Sequence, residues 1–334
     1  MKLSHAATHA AVDDTVLAFE RTIKRGLVHR TMVSEVFLTD LKKIDDRTVI
    51  IGAQLPRCHG YFNDHANADH YIDPLVYLEV ARQATLASAH ALGIPSDVIL
   101  ISSDCDFEVC DADVLYGLHD AVSVHIESTV DWTDVGRGRP RAGICRQTIF
   151  VNRRVAARYS SSGRLLSNSQ LATLREEQRG SAPPRTNEMD CRPLGFCLSP
   201  SMVKRHHPLN VVLAQFDAND AEMWAVIAPP WENRALFDHS YDHLTMQILI
   251  EAARQLAVLA VERGAGRDFF GWGMTNVAGQ FHRFAELDQL TLVRTSLPAL
   301  EQGILKIHVV VVQNDLEIAT ITMVFSADEG LADE

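Results

Sequence analysis

Glu79, Arg82 and Gln83 stand together in the word "EVARQ", and Glu251, Arg254 and Gln255 stand together in "EAARQ". The i, i+3 and i+4 spacing puts each trio on one face of a helix. A carboxylate among apolar neighbours needs a charged partner or a raised pKa, and in either state it is a candidate general base. An arginine beside it can supply that charged partner. A lone Glu and Arg pair of this kind is ordinarily a solvated ion pair on a helix edge. Its recurrence in both halves of the chain argues for more, and makes Glu79 and Glu251 the candidate catalytic residues, with Arg82, Arg254, Gln83 and Gln255 as binding groups.

The segments ahead of the two words carry further polar groups. In "FNDHANADHYIDPLVYLE", His65 is a loop histidine that can meet a helix carboxylate and is a third catalytic candidate; Asp73 suits a helix cap and Pro74 the first helical position. In "LFDHSYDHLTMQILIE", Asp238, His239, Asp242 and His243 crowd before Glu251, and His239 and Asp242 are candidate substrate-binding residues. His239 and His243 have i, i+4 spacing but lack the framing of a metal centre, so no metal site is expected. Helix starts also offer backbone N–H groups to an oxyanion or thioester carbonyl. The Arg-rich turn "WTDVGRGRPRAG" reads as a solvated hairpin, "LPRCHGYF" brings Arg57 and His59 towards the His65 loop, and "FHRFAELD" has no evident role. No nucleophile elbow, phosphate loop or dinucleotide fingerprint is present.

These residues need elements to hold them. From Glu79 to His90 no Pro or Gly interrupts a run dominated by Val80, Ala81, Ala84, Leu86, Ala87 and Ala89, which predicts a helix buried nearly all round. Upstream of the words, "VHRTMVSEVFL" and "VKRHHPLNVVL" lie at almost the same offset from each other as the words themselves. Downstream, period-two patterns in "VILISSDCDFEV", "AVSVHIESTVDW", "GICRQTIFVNRRVAA", "GMTNVAGQFHRF", "LTLVRTSL" and "GILKIHVVVVQNDLEIATITMVFSA" predict strands. The chain therefore reads as a duplicated α+β unit, one long helix wrapped by an antiparallel sheet in each copy. The expected division is a tail over 1–20, a first unit over 21–160, a Ser-, Arg- and Pro-rich linker over 161–198 with a short helical patch, a second unit over 199–327, and a tail over 328–334.

With 334 residues there is room for two such units. The 43 acidic against 31 basic residues argue against a nucleic-acid or membrane-surface partner, which would need a dominant cationic face. No stretch approaches a membrane span or a secretory leader, and the six cysteines lack CxxC pairs, so the expectation is reduced thiols in a cytoplasmic protein.

The spacing from His65 to Glu79 and Gln83 resembles the central-helix motif of the hotdog-fold dehydratases of fatty-acid synthesis. In those enzymes the histidine and the acid come from opposite subunits, so a chain with two copies would be a fused, monomeric pseudo-dimer: a double hotdog. More specifically, "VHRTMVSEVFLTD", "GAQLPRCHGYF", "DPLVYLEVARQA", "DHSYDHLTMQILIEAARQ" and "FHRFAELD" are similar, in the same order, to the AfsA family of A-factor biosynthesis hotdog proteins of actinomycetes. The resemblance implies an acyltransferase that moves a β-ketoacyl group from acyl carrier protein to the hydroxyl of dihydroxyacetone phosphate, on the way to γ-butyrolactone, butenolide or furan signals, with no cofactor. It departs from the family's pattern at Thr245-Met246, where Pro-Gly usually enters the second helix, and at Ile72, where His usually precedes Asp-Pro. Rival readings are a 3-hydroxyacyl-thioester dehydratase or hydratase using His65 and Glu79, a hotdog thioesterase, and a non-enzymatic binder of acyl or lactone ligands.

Overall fold

The computed structural model describes residues 17–65, 71–116, 121–136, 138–189, 197–264, 272–296, 299–301 and 303–327. The expected tails, apart from 17–20, and part of the linker, including Cys191, lie outside the described residues.

The first copy runs β1 (Leu38–Lys43), β2 (Thr48–Gln54), α1 (Pro74–Ala91), β3 (Ile99–Ser102), β4 (Asp104–Val109), β5 (Ser123–Gly136), β6 (Arg139–Val151) and β7 (Arg154–Leu166). Helix α2 (Asn168–Arg179) follows. The second copy runs β8 (Leu213–Ala218), β9 (Glu222–Ile227), α3 (Met246–Gly264), β10 (Trp272–Phe281), β11 (Thr291–Ser296), β12 (Ala299–Glu301), β13 (Ile304–Gln313) and β14 (Leu316–Ala327).

All of these strands join one antiparallel sheet in the order β1-β2-β5-β6-β7-β4-β10-β14-β13-β11-β9-β8, with β3 added on β7 and β12 on β13. The order is the same read inward from either end, so the two copies meet at β4 and β10, where Cys105 pairs with Gly279. This is the duplicated α+β unit that the pattern predicts, in the double-hotdog form that the resemblance implies.

Each helix lies in the curl of its own half of the sheet. Helix α1 packs on β1, β2, β5 and β7, and α3 on β9, β11, β13 and β14. Fifteen of the eighteen residues of α1 are buried, from Pro74 to Ala89 with Arg82 the exception. Each buried Leu or Val side chain contributes about 1.5–3 kcal/mol. Asp73 caps the helix, its carboxylate accepting from Leu75 N at 2.9 Å, with Pro74 at the first position. Past the other end Gly93 adopts φ +100°, a conformation that costs glycine little.

The strand patterns resolve into more pieces than their periodicity indicates. "GICRQTIFVNRRVAA" holds a hairpin, turning at Asn152 and Arg153 with φ 49° and 62°, and the long C-terminal pattern turns likewise at Asn314 and Asp315 with φ 51° and 60°. Positive φ at both central residues is the tight-turn geometry that asparagine tolerates, so alternation runs through without a Gly or Pro to mark the break. The sheet of the first copy also extends to Leu166, past residue 160, before α2 begins behind a capping box of Ser167 and Gln170.

Helix α2 explains "FHRFAELD". Arg175 is buried and makes a two-pronged pair with Glu286 at 2.7 and 2.8 Å, stacks over Phe284 at 4.4 Å, and donates to the Asp242 carbonyl. Arg179 pairs with Asp288 and Gln178 donates to Glu286 and to the Phe284 carbonyl. The segment after the first copy is thus strapped to the second. Breaking a buried pair of this kind strands a charge and costs about 3–5 kcal/mol. Glu286→Gln should therefore release α2, seen as faster proteolytic cleavage within 168–189 and a lower thermal midpoint; unchanged cleavage would show that the strap does not hold it.

Candidate active site

Glu79 is the centre of the first site, with its side chain 1% exposed. Arg30, from the turn before β1, donates to Oε1 at 2.6 Å, and Arg82 clamps both oxygens at 2.8 and 2.9 Å. Gln83 donates to Oε1 at 2.7 Å, and Gln247 in the first turn of α3 donates to Oε2. Burial by itself would raise the pKa of Glu79, but Arg30 and Arg82 outweigh it and hold the group at about 2.

Glu251 has the same surroundings in the second copy. Arg205 donates to Oε1 at 2.8 and 3.1 Å, Arg254 to Oε2 at 2.6 Å, Gln255 to Oε1 at 2.6 Å and the Tyr61 hydroxyl to Oε2 at 3.0 Å. Arg30 and Arg205 are counterparts in "VHR" and "VKR". The repeated upstream words contain these arginines but give them no role, and only the fold brings them onto the helix carboxylates.

Both sites lie where the copies meet. Asp238 of the second copy accepts from Thr31 N at 2.7 Å and stands 3.5 Å from Arg30. In the first copy's matching loop, the Asp64 carbonyl accepts from Arg205 at 2.5 Å. Gln83 and Gln255 are consumed in holding this frame: each accepts from a backbone N–H (Phe37, Val212) and donates to a carbonyl (Glu35, Asn210) as well as to its glutamate.

The candidates divide accordingly. Glu79, Arg82, Gln83 and His239 gather at the first site; Glu251, Arg254, Gln255 and His65 gather at the second. His65 therefore lies across the seam from the word it precedes in sequence, beside Asp73, Arg254, Arg205 and the edge of the Tyr71 ring. Burial lowers its pKa, and neither ring nitrogen makes a hydrogen bond of good geometry. Asp242 joins neither site: it bonds His243 Nδ1 at 2.6 Å and faces Arg175 of α2. His239 and His243 point to different neighbours, His239 to Asp238 at 2.6 Å and the Tyr241 ring, His243 to Asp242 and Phe284.

Besides Gln247 at Glu79 and Tyr61 at Glu251, the copies differ in three further respects. Asp73 caps α1 and also binds Arg254 at 2.6 Å, whereas its counterpart Thr245 leaves Oγ1 buried without a partner among the described residues at the start of α3. Asp238 grips His239 Nδ1, whereas Asp64 is occupied by His206 N, His207 N and Asn210 and leaves His65 alone. Lys204 and Glu262 form an ion pair at 2.7 Å, whereas their counterparts His29 and His90 approach Nε2 to Nε2 at 3.0 Å.

A family model, the A-factor biosynthesis hotdog domain, matches residues 12–167 and 190–327, covering both copies. The chain belongs to the AfsA family. Among AfsA relatives, a 2-oxo-3-(phosphooxy)propyl 3-oxoalkanoate synthase of Streptomyces virginiae is 29% identical over 301 residues, 89% of this chain and 95% of that protein. A protein of the same name from Streptomyces coelicolor is 25% identical and spans 92% and 91%. The 12:0-ACP thioesterase of Umbellularia californica matches in structure with a TM-score of 0.51 at 11% identity, over 83% of this chain and 94% of that one, a likeness of fold.

The Glu79 clamp has a pH signature. Its pKa falls from an ordinary 4.5 to about 2, so the anion stabilises the fold above pH 4.5, and that contribution is lost as pH drops towards 2. Glu79→Gln should lower stability by about 3 kcal/mol at pH 7 and flatten the loss of stability across that window. An acid unfolding curve that keeps its slope in the variant would remove Glu79 as its source.

Proposed function

We propose that this AfsA protein transfers a β-ketoacyl group from an acyl carrier protein thioester to the hydroxyl of dihydroxyacetone phosphate. The thioester C–S bond breaks, an ester C–O bond forms, the hydroxyl proton leaves and the carrier thiolate is protonated. The observation that carries the reading is family membership through both copies, with synthase relatives aligned over nearly their whole length.

In this reading the reaction runs at the first site. His239, its Nδ1 held by ionised Asp238, keeps Nε2 to accept the hydroxyl proton. Glu79, with a pKa of about 2, stays an anion at neutral pH and is a weak proton acceptor, so its role is to fix Arg82 and Gln247. The start of α3, where Thr245 Oγ1 has no partner among the described residues, suits the oxyanion of the tetrahedral intermediate. Beyond Arg82, Thr85 and Ala89 continue along α1 to a small apolar cavity of about 20 Å³ lined by Leu100, Val130, Trp132 and Leu165, too small for more than a carbon or two of an acyl chain without rearrangement. Glu251 in the second copy, with Arg254 locked and His65 unoriented, is a structural counterpart. The dehydratase reading pairs His65 with Glu79, whereas His65 lies beside Asp73, Arg254 and Arg205 at the other site; a dehydratase would have to use His239 with Glu79 instead.

Purified protein given a β-ketoacyl carrier thioester and dihydroxyacetone phosphate should yield the phosphorylated 3-oxo ester by mass spectrometry. Thioester hydrolysis or dehydration without that ester would sink the reading. His239→Gln should lower kcat by about 100-fold or more with the fold intact; an equal loss from His65→Gln would move the chemistry to the second site.

A further inference from the structure

The duplication gives every side chain at one site a counterpart at the other, and the two arginines of the repeated word are differently engaged. Arg254 is held from both sides, by Glu251 and Asp73 at 2.6 Å each, and is 14% exposed. Arg82 meets only Glu79, through Nε and Nη2. Its Nη1 makes no hydrogen bond among the described residues, and the side chain is 22% exposed. Glu79 is also bonded by Arg30, so Arg82 shares its one carboxylate with a second guanidinium, whereas Arg254 has Asp73 besides.

Behind Arg82 lies the second difference. His29 and Lys204 are counterparts in backbone as well as sequence, both left-handed with φ 53° and 52°. Lys204 pairs with Glu262 and that pair cancels its own charge. His90 Nδ1 lies 2.9 Å from the Ile94 carbonyl and must donate to it, so His90 Nε2 accepts from His29 Nε2. His29 Nδ1 is left with a lone pair, within electrostatic reach of Arg82 and His239.

The formal charges are equal, Arg30 and Arg82 against Glu79 and Asp238 at the first site and Arg205 and Arg254 against Glu251 and Asp73 at the second, but they are placed differently: Asp73 takes Arg254 Nη1, whereas Asp238 faces Arg30 and leaves Arg82 Nη1 open. An arginine that bonds one carboxylate and keeps Nη1 open, beside a neutral imidazole pair, is suited to a dianionic phosphate, which bonds the arginine and stabilises on the imidazole a proton drawn from solvent.

We infer that Arg82 and the His29–His90 pair form the seat of the acceptor's phosphate group, and that the chain holds one such seat, at the first helix. The identity of the ligand rests on the acyl-transfer reading; the seat itself rests on the contrast between the copies. Burial, then His90, Arg82 and His239, push His29 down to about 4, so it enters neutral at pH 7 and binding of a dianion draws a proton onto it.

The full chain is titrated with dihydroxyacetone phosphate by calorimetry at pH 7 in two buffers of unequal ionisation enthalpy. One equivalent should bind per chain with net proton uptake. Arg82→Gln should weaken binding about tenfold or more, the worth of a charge-assisted bond, and raise KM for the phosphate substrate while KM for the thioester holds. His29→Asn, which tolerates the left-handed backbone, should abolish most of the proton uptake and weaken binding several-fold, and it carries the test if Arg82→Gln fails to fold. Two equivalents per chain, no measurable binding, or full affinity and uptake in the variants would overturn the seat. Acyl transfer that proceeds with an unchanged phosphate-substrate KM in Arg82→Gln removes the seat and leaves the transfer; binding that depends on Arg82 but is never followed by acylation removes the transfer and leaves the seat.

Discussion

The buried pairs of Arg30 with Glu79 and Arg205 with Glu251 are the constraint around which the rest is arranged. A carboxylate this deep is stable only when several donors answer it, because the loss of hydration outweighs one imperfect contact. Each glutamate therefore collects two arginines and a glutamine, and each glutamine in turn holds the chain entering the first strand of its copy. Helix, turn and strand are locked in register by one carboxylate.

The same constraint explains why the sites lie at the seam. Arg30 and Arg205 have donors left over after binding their own helices, and those donors face Asp238 and Asp64, each from the opposite copy. The continuous sheet through β4 and β10 fixes the distance between the copies, so these cross-copy contacts have a defined geometry. Around this common frame the polar edges are free to differ. Asp73 or Thr245 at the helix start, and His29–His90 or Lys204–Glu262 behind it, change charge and access without touching the core.

Much of the fold was legible in the sequence because its signals are local. The apolar run after Glu79, the Asp73-Pro74 step and the alternating strands each follow from the period and end chemistry of one element. The hairpin turns at Asn152-Arg153 and Asn314-Asp315 were not, since no Gly or Pro marks them. The role of "FHRFAELD" was hidden for another reason: Glu286 and Asp288 meet Arg175 and Arg179 from a distant segment, and no local pattern records such a meeting.

The sequence by itself determined that there are two copies, that each carries a buried helix with Glu, Arg and Gln on one face, and that the chain resembles AfsA proteins. Repeats, periodicity and motif order are properties of neighbouring residues, which is why they can be read along the chain. Tertiary structure alone decided that His65 lies beside Arg254 and Arg205 of the other copy, that Asp242 braces α2, and that Arg254 bonds two carboxylates while Arg82 bonds one. Those outcomes depend on which side chains share a space after the sheet closes, and on how many charges already occupy it.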